Sequence, residues 1–382
     1  MDLAESLTSP HVLDHVLGMH VLTYFRSSAC LDIRIPRPHG FVVSEIVDDT
    51  DIRCLKLERC TEASKHCVYL VEKREYSTID VAKDLMRFLK CSKARYLGLK
   101  EARAIAYQLL ILSDCEHVVN DVARSWGKAS LIACSDTPPY FNHRGNVFDL
   151  LLECNEPNAL LSRIEELRNL SKGRSLRILN FFGYQRFGSR RPITHIVGAS
   201  ILRGDSETAL SMLCTQTLAW GPPPKRGYER RVCRKGTLAI DKRLLRLFLQ
   251  AYQSYLFNKA LSITWIEILR DCGLDIECAL ELLERNECFV LGSGIDLRRV
   301  WEPYASSYRK VLSIEGLDIE DFEKVLVRKF LKPVKRPCIT KVEVIEALKR
   351  DSSILLKVFL PRGSYVTVFL RELNPCDIQR VL

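Results

Sequence analysis

The nonapeptide Asn180 to Gly188, Asn-Phe-Phe-Gly-Tyr-Gln-Arg-Phe-Gly, constrains the fold more than any other stretch. It sets four aromatics, one arginine, two side-chain amides and two glycines in nine residues. A core strand would alternate apolar and polar positions, and a helix would not tolerate Gly183 and Gly188 so close together. A short strand entering a tight loop fits better, with aromatic faces and a guanidinium on show. Such a surface suits an unstacked base beside a phosphate. The competing reading is an aromatic plug beneath a loop. Arg174, Arg177, Arg190 and Arg191 flank the stretch and favour the first.

On either side of it the texture of the chain differs. Before it, strand and helix patterns alternate. Ser9-Pro10 is a plausible cap and first position for a helix that ends near Gly18. His11 and His15 share one face of that helix, but no third metal ligand follows. Leu31–Ile35 and Phe41–Ile46 read as strands about a Pro/Gly turn, and Val68–Lys73 as a buried strand. Ser77-Thr78 caps a helix predicted over Ile79–Lys90, with Ile79, Ala82, Leu85, Met86 and Leu89 on one face. A strand follows through Phe148, Leu150 and Leu152, then a helix over Glu156–Arg168. After Gly188 the patterns are helical, at Ala209–Leu218, Lys242–Leu269 and Ile276–Glu287. From Arg336 strands return at Leu355–Leu360 and Gly363–Leu373, the latter rich in β-branched and aromatic residues. The order predicts an α+β protein: one sheet domain flanked by helices (1–187 and 336–382), interrupted by a helix-rich inserted domain (188–335).

Charge points to an anionic partner. There are 57 Lys and Arg against 47 Asp and Glu, a formal +10, and the surplus matters where it clusters. From Gly221 to Arg246, nine basic residues meet two acidic ones, a run suited to tracking phosphates or to a solvated face. Fifteen cysteines form no C-x-x-C pair and no zinc spacing, which predicts reduced thiols in a cytoplasm. Asp2 and Glu5 argue against a secretory leader. Val16–Phe25, broken by His20, is too short to span a membrane.

Six stretches in register resemble the TruD family of tRNA pseudouridine synthases, in its archaeal and eukaryotic branch. They are Phe41–Ile46, Gly98–Gln108, Gly145–Phe148, Asn180–Gly188, Gln253–Asn258 and Gly363–Leu373. The resemblance implies a pseudouridine-synthase sheet domain made from two parts of the chain, with the TruD-specific domain inserted after Gly188. It also implies a reaction in which the N1–C1′ bond of uridine breaks, the uracil turns, and C5 is joined to C1′. Nothing is oxidised or hydrolysed, so no cofactor and no metal is implied. The substrate implied is tRNA, at uridine 13 in bacterial relatives, with no membrane partner and a monomer sufficient.

The resemblance carries roles residue by residue. The family's Gly-x-Lys-Asp motif supplies a catalytic aspartate; the chain has Glu101 there, which keeps the carboxylate but changes its reach. Phe148 matches the ring that packs on the target base, Asn146 an amide near it, and Phe41 a residue lining the same cleft. Lys100 and Arg103 are cations beside Glu101, and Arg186 is the expected phosphate or carboxylate partner. Pattern alone reads Lys-Glu-Ala-Arg as solvated helix, Asn146 as a turn residue, and Phe41 and Phe148 as strand core. Two functions follow: an RNA-modifying isomerase, or an RNA-binding relative whose catalytic step is lost, with Glu101 discriminating. A basic groove lined by Arg186, Arg190, Arg191 and part of the 221–246 segment is expected in either case.

Overall fold

A computed structural model describes residues 7–24, 30–55, 64–171, 175–188, 191–214, 232–238, 240–324 and 327–374. The strands before the nonapeptide are β1 (Ile33–Arg34), β2 (Phe41–Val47), β3 (Thr50–Asp51), β4 (His66–Arg74), β5 (Cys91–Tyr96), β6 (Ile105–Cys115), β7 (Asp121–Arg124), β8 (Gly127–Ser135), β9 (His143–Cys154) and β10 (Leu176–Leu179). After it come β11 (Glu287–Val290), β12 (Val334–Pro337), β13 (Ile339–Arg350) and β14 (Ser353–Pro361). The helices are α1 (Val12–Val16), α2 (Thr78–Leu89), α3 (Pro157–Leu170), α4 (Thr194–Arg203), α5 (Ser206–Cys214), α6 (Lys242–Asp271), α7 (Ile276–Arg285), α8 (Glu302–Glu315) and α9 (Val366–Leu373).

Twelve strands make one sheet in the order β10-β13-β14-β9-β2-β6-β4-β8-β7, with β1 on β9, β3 on β2 and β5 on β6. The β2–β6 pair is parallel and the other pairs described are antiparallel. The chain leaves the sheet after Leu179 and rejoins it at Ile339; between these points, among the described residues, only the antiparallel β11–β12 pair adds strands, as a separate sheet. The α+β expectation agrees with this mixed architecture.

Two layers of core follow from the alternation. Tyr69 and Val71 of β4 and Leu110 and Leu112 of β6 bury their faces under Val81, Ala82, Leu85 and Leu89 of α2. The Ser77 side chain caps that helix by accepting from the Asp80 N–H. Its buried face is turned toward Val81 rather than Ile79, one step from the expected stripe. The larger core runs from β9, β13 and β14 into α6 and α8 through Leu150, Val358, Leu256, Phe257 and Tyr308.

Several expectations are corrected. Gly363–Leu373 is not a strand: Val366–Leu373 is a helix in which every residue is buried. Val366, Phe369, Leu370 and Leu373 do recur at helical spacing, but the β-branched and aromatic composition of the run was the louder signal. Only Ile33–Arg34 of the predicted Leu31–Ile35 strand pairs. The first helix is five residues long, capped by the His11 ring accepting from the Leu13 N–H rather than by Ser9. His15 is also engaged, its Nε2 lying 2.7 Å from the Ser9 carbonyl.

The prediction of reduced thiols fails as well. Disulfides join Cys91 to Cys115, Cys214 to Cys233, Cys272 to Cys278 and Cys288 to Cys338. Cys91 and Cys115 are cross-strand partners on β5 and β6. Neighbourhoods of that kind arise from pairing across the fold, which sequence spacing does not display.

Candidate active site

The period-two alternation of β2 puts Phe41, Val43 and Glu45 on one face of the sheet. Its antiparallel neighbour β9 sets Leu150, Phe148 and Asn146 directly opposite them. Phe41 and Phe148 meet edge to face with ring centroids 5.9 Å apart. A cleft of about 370 Å³ opens over these two rings. Leu99, Lys100, Glu101 and Ala102 form one wall, and Gln185, Gly188, Ser364, Tyr365 and Val366 line the other.

The first wall is the connection from β5 to β6, and it is not helical. Polar anchors fix its path. The Lys100 N–H donates to Thr78 Oγ1 at 3.0 Å, at the start of α2. The Lys100 ammonium turns inward to Glu45 Oε1 at 2.7 Å and Asn146 Oδ1 at 2.9 Å. The other Glu45 oxygen accepts the Leu109 N–H at 2.9 Å. The Lys100 and Glu45 side chains are 5% and 0% exposed. Lys100 therefore lines the cleft as half of a buried ion pair and not as an outward cation. Glu101 is half-buried on the cleft wall, its carbonyl accepting from Lys73 Nζ at 2.6 Å. Its carboxylate receives one long bond from the Arg103 N–H at 3.4 Å, while the Arg103 side chain is exposed.

Two cations that sequence reasoning passes over feel the charge of Glu101. Lys73 is wholly buried, and burial draws its ammonium down to about 8, against the pull of the Glu101 charge and with the push of Lys100. Arg37 is drawn down to about 10 by burial, again opposed by Glu101. Its guanidinium lies 3.9 Å from the centroid of the Phe41 ring, a cation–π contact that ties it to the cleft floor. Lys73 was legible in principle, because it alternates in phase with the buried Tyr69 and Val71. Arg37 sits between Pro36 and Pro38, where no periodicity could mark it.

The far wall is built by the nonapeptide, and here the plug reading holds. Phe181, Tyr184 and Phe187 are buried, so they offer no faces to a base. Gln185 and Gly188 reach the cleft. Gly183 is required by close approach: a Cβ there would lie 2.8 Å from the side chain of Tyr365. Arg186 is half-buried. Its Nε donates to Ser254 Oγ at 3.1 Å, and burial lowers its pKa. It supports the wall through Ser254 and is not among the residues lining the cleft, which leaves the expected phosphate contact without support there.

Arg336 clamps this wall. Its guanidinium donates to the Asn180 carbonyl at 3.0 Å, Asn180 Oδ1 at 2.8 Å, the Phe181 carbonyl at 3.1 Å and the Gly363 carbonyl at 3.0 Å. It also lies 4.0 Å from the centroid of the Phe182 ring. Asn258 of α6 brackets Phe182 from the other side, accepting its N–H at 2.8 Å and donating to its carbonyl at 3.0 Å.

The flanking arginines have structural duties too. Arg177 is buried and pairs with Glu284 at 3.1 Å and with Glu277. Arg191 is 8% exposed and donates to the Met212 and Leu213 carbonyls at the end of α5. Arg174, Arg190 and residues 221–231 lie outside the described residues. The expected basic groove thus loses Arg191.

Comparison with known proteins gives the site a context. The model of the family described as tRNA pseudouridine synthase D (TruD) matches residues 17–238, more than half of the chain. A protein of Saccharolobus solfataricus named as a probable tRNA pseudouridine synthase D is 29% identical over 397 residues, covering 96% of this chain and 97% of its own. One of the same name from Methanococcus aeolicus is 26% identical, over 88% of this chain and 94% of its own. A crystal structure of a protein from Methanosarcina mazei, titled as TruD, superposes with a TM-score of 0.65 at 19% identity, covering 96% of this chain and 98% of that one. With the motif stretches, the sheet and the cleft in agreement, the chain belongs to the TruD family.

Proposed function

We propose that this protein is a tRNA pseudouridine synthase that isomerises a uridine in tRNA, at position 13 by family resemblance, with Glu101 as the catalytic carboxylate. The observation that carries the reading is the shared cleft: a half-buried carboxylate on one wall, over an aromatic floor of Phe41 and Phe148. Glu101 faces the ribose while the N1–C1′ bond breaks and the C5–C1′ bond forms. The aromatic floor holds the detached uracil. An ammonium can only donate, so Lys100 must face the oxygen of Asn146. The amide hydrogens of Asn146 are then turned toward a uracil carbonyl. The base must leave its stack to enter a cleft of this size. Arg103, exposed at the rim, remains a candidate phosphate contact.

Residues 1–187 and 336–382 form the catalytic domain in this reading, and 188–335 the inserted domain. Their boundaries fall close to where the chain leaves and rejoins the large sheet. No helix of the described residues is long and apolar enough to cross a membrane. The test is to map pseudouridine in tRNA treated with the native protein, Glu101→Gln and Glu101→Asp. The expected result is product from the native chain, none from Glu101→Gln, and no gain from Glu101→Asp. An inactive native protein that gains activity as Glu101→Asp would establish the RNA-binding reading instead.

A further inference from the structure

Lys73 stands at the end of β4, 0% exposed, in phase with Tyr69 and Val71 on the face that α2 covers. A buried ammonium is costly without a carboxylate to pair with. Lys73 forms no such pair among the described residues. Lys100 is matched to Glu45, and Glu72 to Arg74 and Lys128 on the reverse face of the strands. Its Nζ donates instead to the main-chain carbonyl of Glu101 at 2.6 Å. The other anchors of this loop act on Lys100, through Thr78, Glu45 and Asn146. Lys73 is therefore the bond that reaches the backbone of Glu101 itself.

We propose that Lys73 is a positioning residue: its ammonium fixes the main chain of Glu101 at the depth a glutamate requires, and loss of its charge releases the loop. The proposal rests on the reading of Glu101 as the reacting carboxylate. The charges facing Lys73 are Glu101, which favours the ammonium, and Lys100, which opposes it. Glu72, Arg74, Lys128 and the Tyr107 hydroxyl engage one another on the opposite face. Burial outweighs Glu101 and brings Lys73 to about 8. The ammonium is thus present at neutral pH and is lost as pH rises through about 8, and turnover follows it down.

The test is kcat and KM on tRNA between pH 6 and pH 10 for the native chain, Lys73→Met and Lys73→Arg. The native kcat should fall above about pH 8 with KM steady. Lys73→Met should give a level profile about a hundredfold lower, the cost of a misplacement of about 1 Å. Lys73→Arg, whose guanidinium stays charged, should lose the descending limb. Lys73→Met removes a buried charge and should melt no lower than the native chain. A native profile level through pH 8 to 9.5, or a limb that survives in Lys73→Met, overturns the proposal. Hydrogen exchange at the Lys100 and Arg103 amides provides a readout that needs no turnover. Corrected for intrinsic base catalysis, their protection should drop above pH 8 in the native chain and not in Lys73→Met. Protection indifferent to pH also overturns the proposal. Native protein without activity but with the pH-dependent protection would instead retire the role given to Glu101 and leave the anchoring by Lys73 standing.

Discussion

Lys100→Met separates two accounts of the same residue. If Lys100 reached out to RNA, its loss would weaken binding and little else. The structure makes it half of a buried pair with Glu45, N to O 2.7 Å, the side chains 5% and 0% exposed. Removing one member of such a pair strands the other charge and costs about 3–5 kcal/mol. Glu45 keeps the Leu109 N–H on its second oxygen, so the lower end, about 3 kcal/mol, is expected. Glu45→Gln in the same chain should return most of that loss, because no charge is then stranded; the coupling in a double-mutant cycle should reach about 2 kcal/mol. Denaturant unfolding measures both, with unchanged m as the check that the denatured state is the same. The second measurement is the slope of log affinity for tRNA against log salt, taken where the variant is folded. A lost phosphate contact would flatten it by roughly 0.7–0.9, and here no change is expected. A variant of native stability with a flattened slope refutes the buried-pair account.

Phe148 is 8% exposed and belongs to the large core as well as the cleft. Phe148→Ala should therefore cost about 3 kcal/mol of stability, while Phe148→Leu stays folded, retains most tRNA affinity and loses turnover. Binding and turnover falling equally in Phe148→Leu would make the ring a packing residue alone. Arg336→Lys replaces a fork with a point charge. Unable to span the carbonyls of Asn180, Phe181 and Gly363 together, it should lose about 1–3 kcal/mol in denaturant unfolding, the cost of leaving a buried carbonyl unpaired, and no measurable loss would mean the clamp is not needed.

What the sequence displayed was local and what it hid was pairing across the fold. The strand at Phe41 and the strand ending at Lys73 were legible as short apolar runs, although both faces of each are largely buried, and the Ser77 cap was legible from its Ser-Thr signal. Val366–Leu373 was not, since its β-branched and aromatic run outweighed the helical spacing of Val366, Phe369, Leu370 and Leu373. The cleft residues Glu101, Asn146, Phe41 and Phe148 came from motif resemblance, and their pattern alone suggested solvated helix, turn and core. Lys100, Arg186, Arg177 and Arg191 show the reverse error. Basic residues near a supposed RNA site were read as facing solvent, yet their partners Glu45, Ser254, Glu284 and the carbonyls of α5 lie far away in sequence. The cysteines misled for the same reason, since Cys288 and Cys338 stand 50 residues apart and still bond.

The nonapeptide, Asn258 and Gly363 are distant in sequence and meet at one wall, where Arg336 and Asn258 grip Asn180 to Phe182. Tyr365 lies against Gly183 so closely that not even a methyl group fits between them. That wall is held from both sides, which opposes a shift toward or away from a carboxylate of different length. On the proposed reading of Glu101 as the reacting carboxylate, its extra methylene is absorbed on the opposite side, by the loop from 97 to 104. There Thr78, Glu45 and Lys73 hold successive groups of the main chain and side chain. A loop held at three points does not follow a shorter side chain inward. Glu101→Asp should accordingly draw the carboxylate back from the cleft and lower the rate, although aspartate is the residue of the family motif. If Glu101→Asp instead raises activity, the loop is not set back as these anchors require.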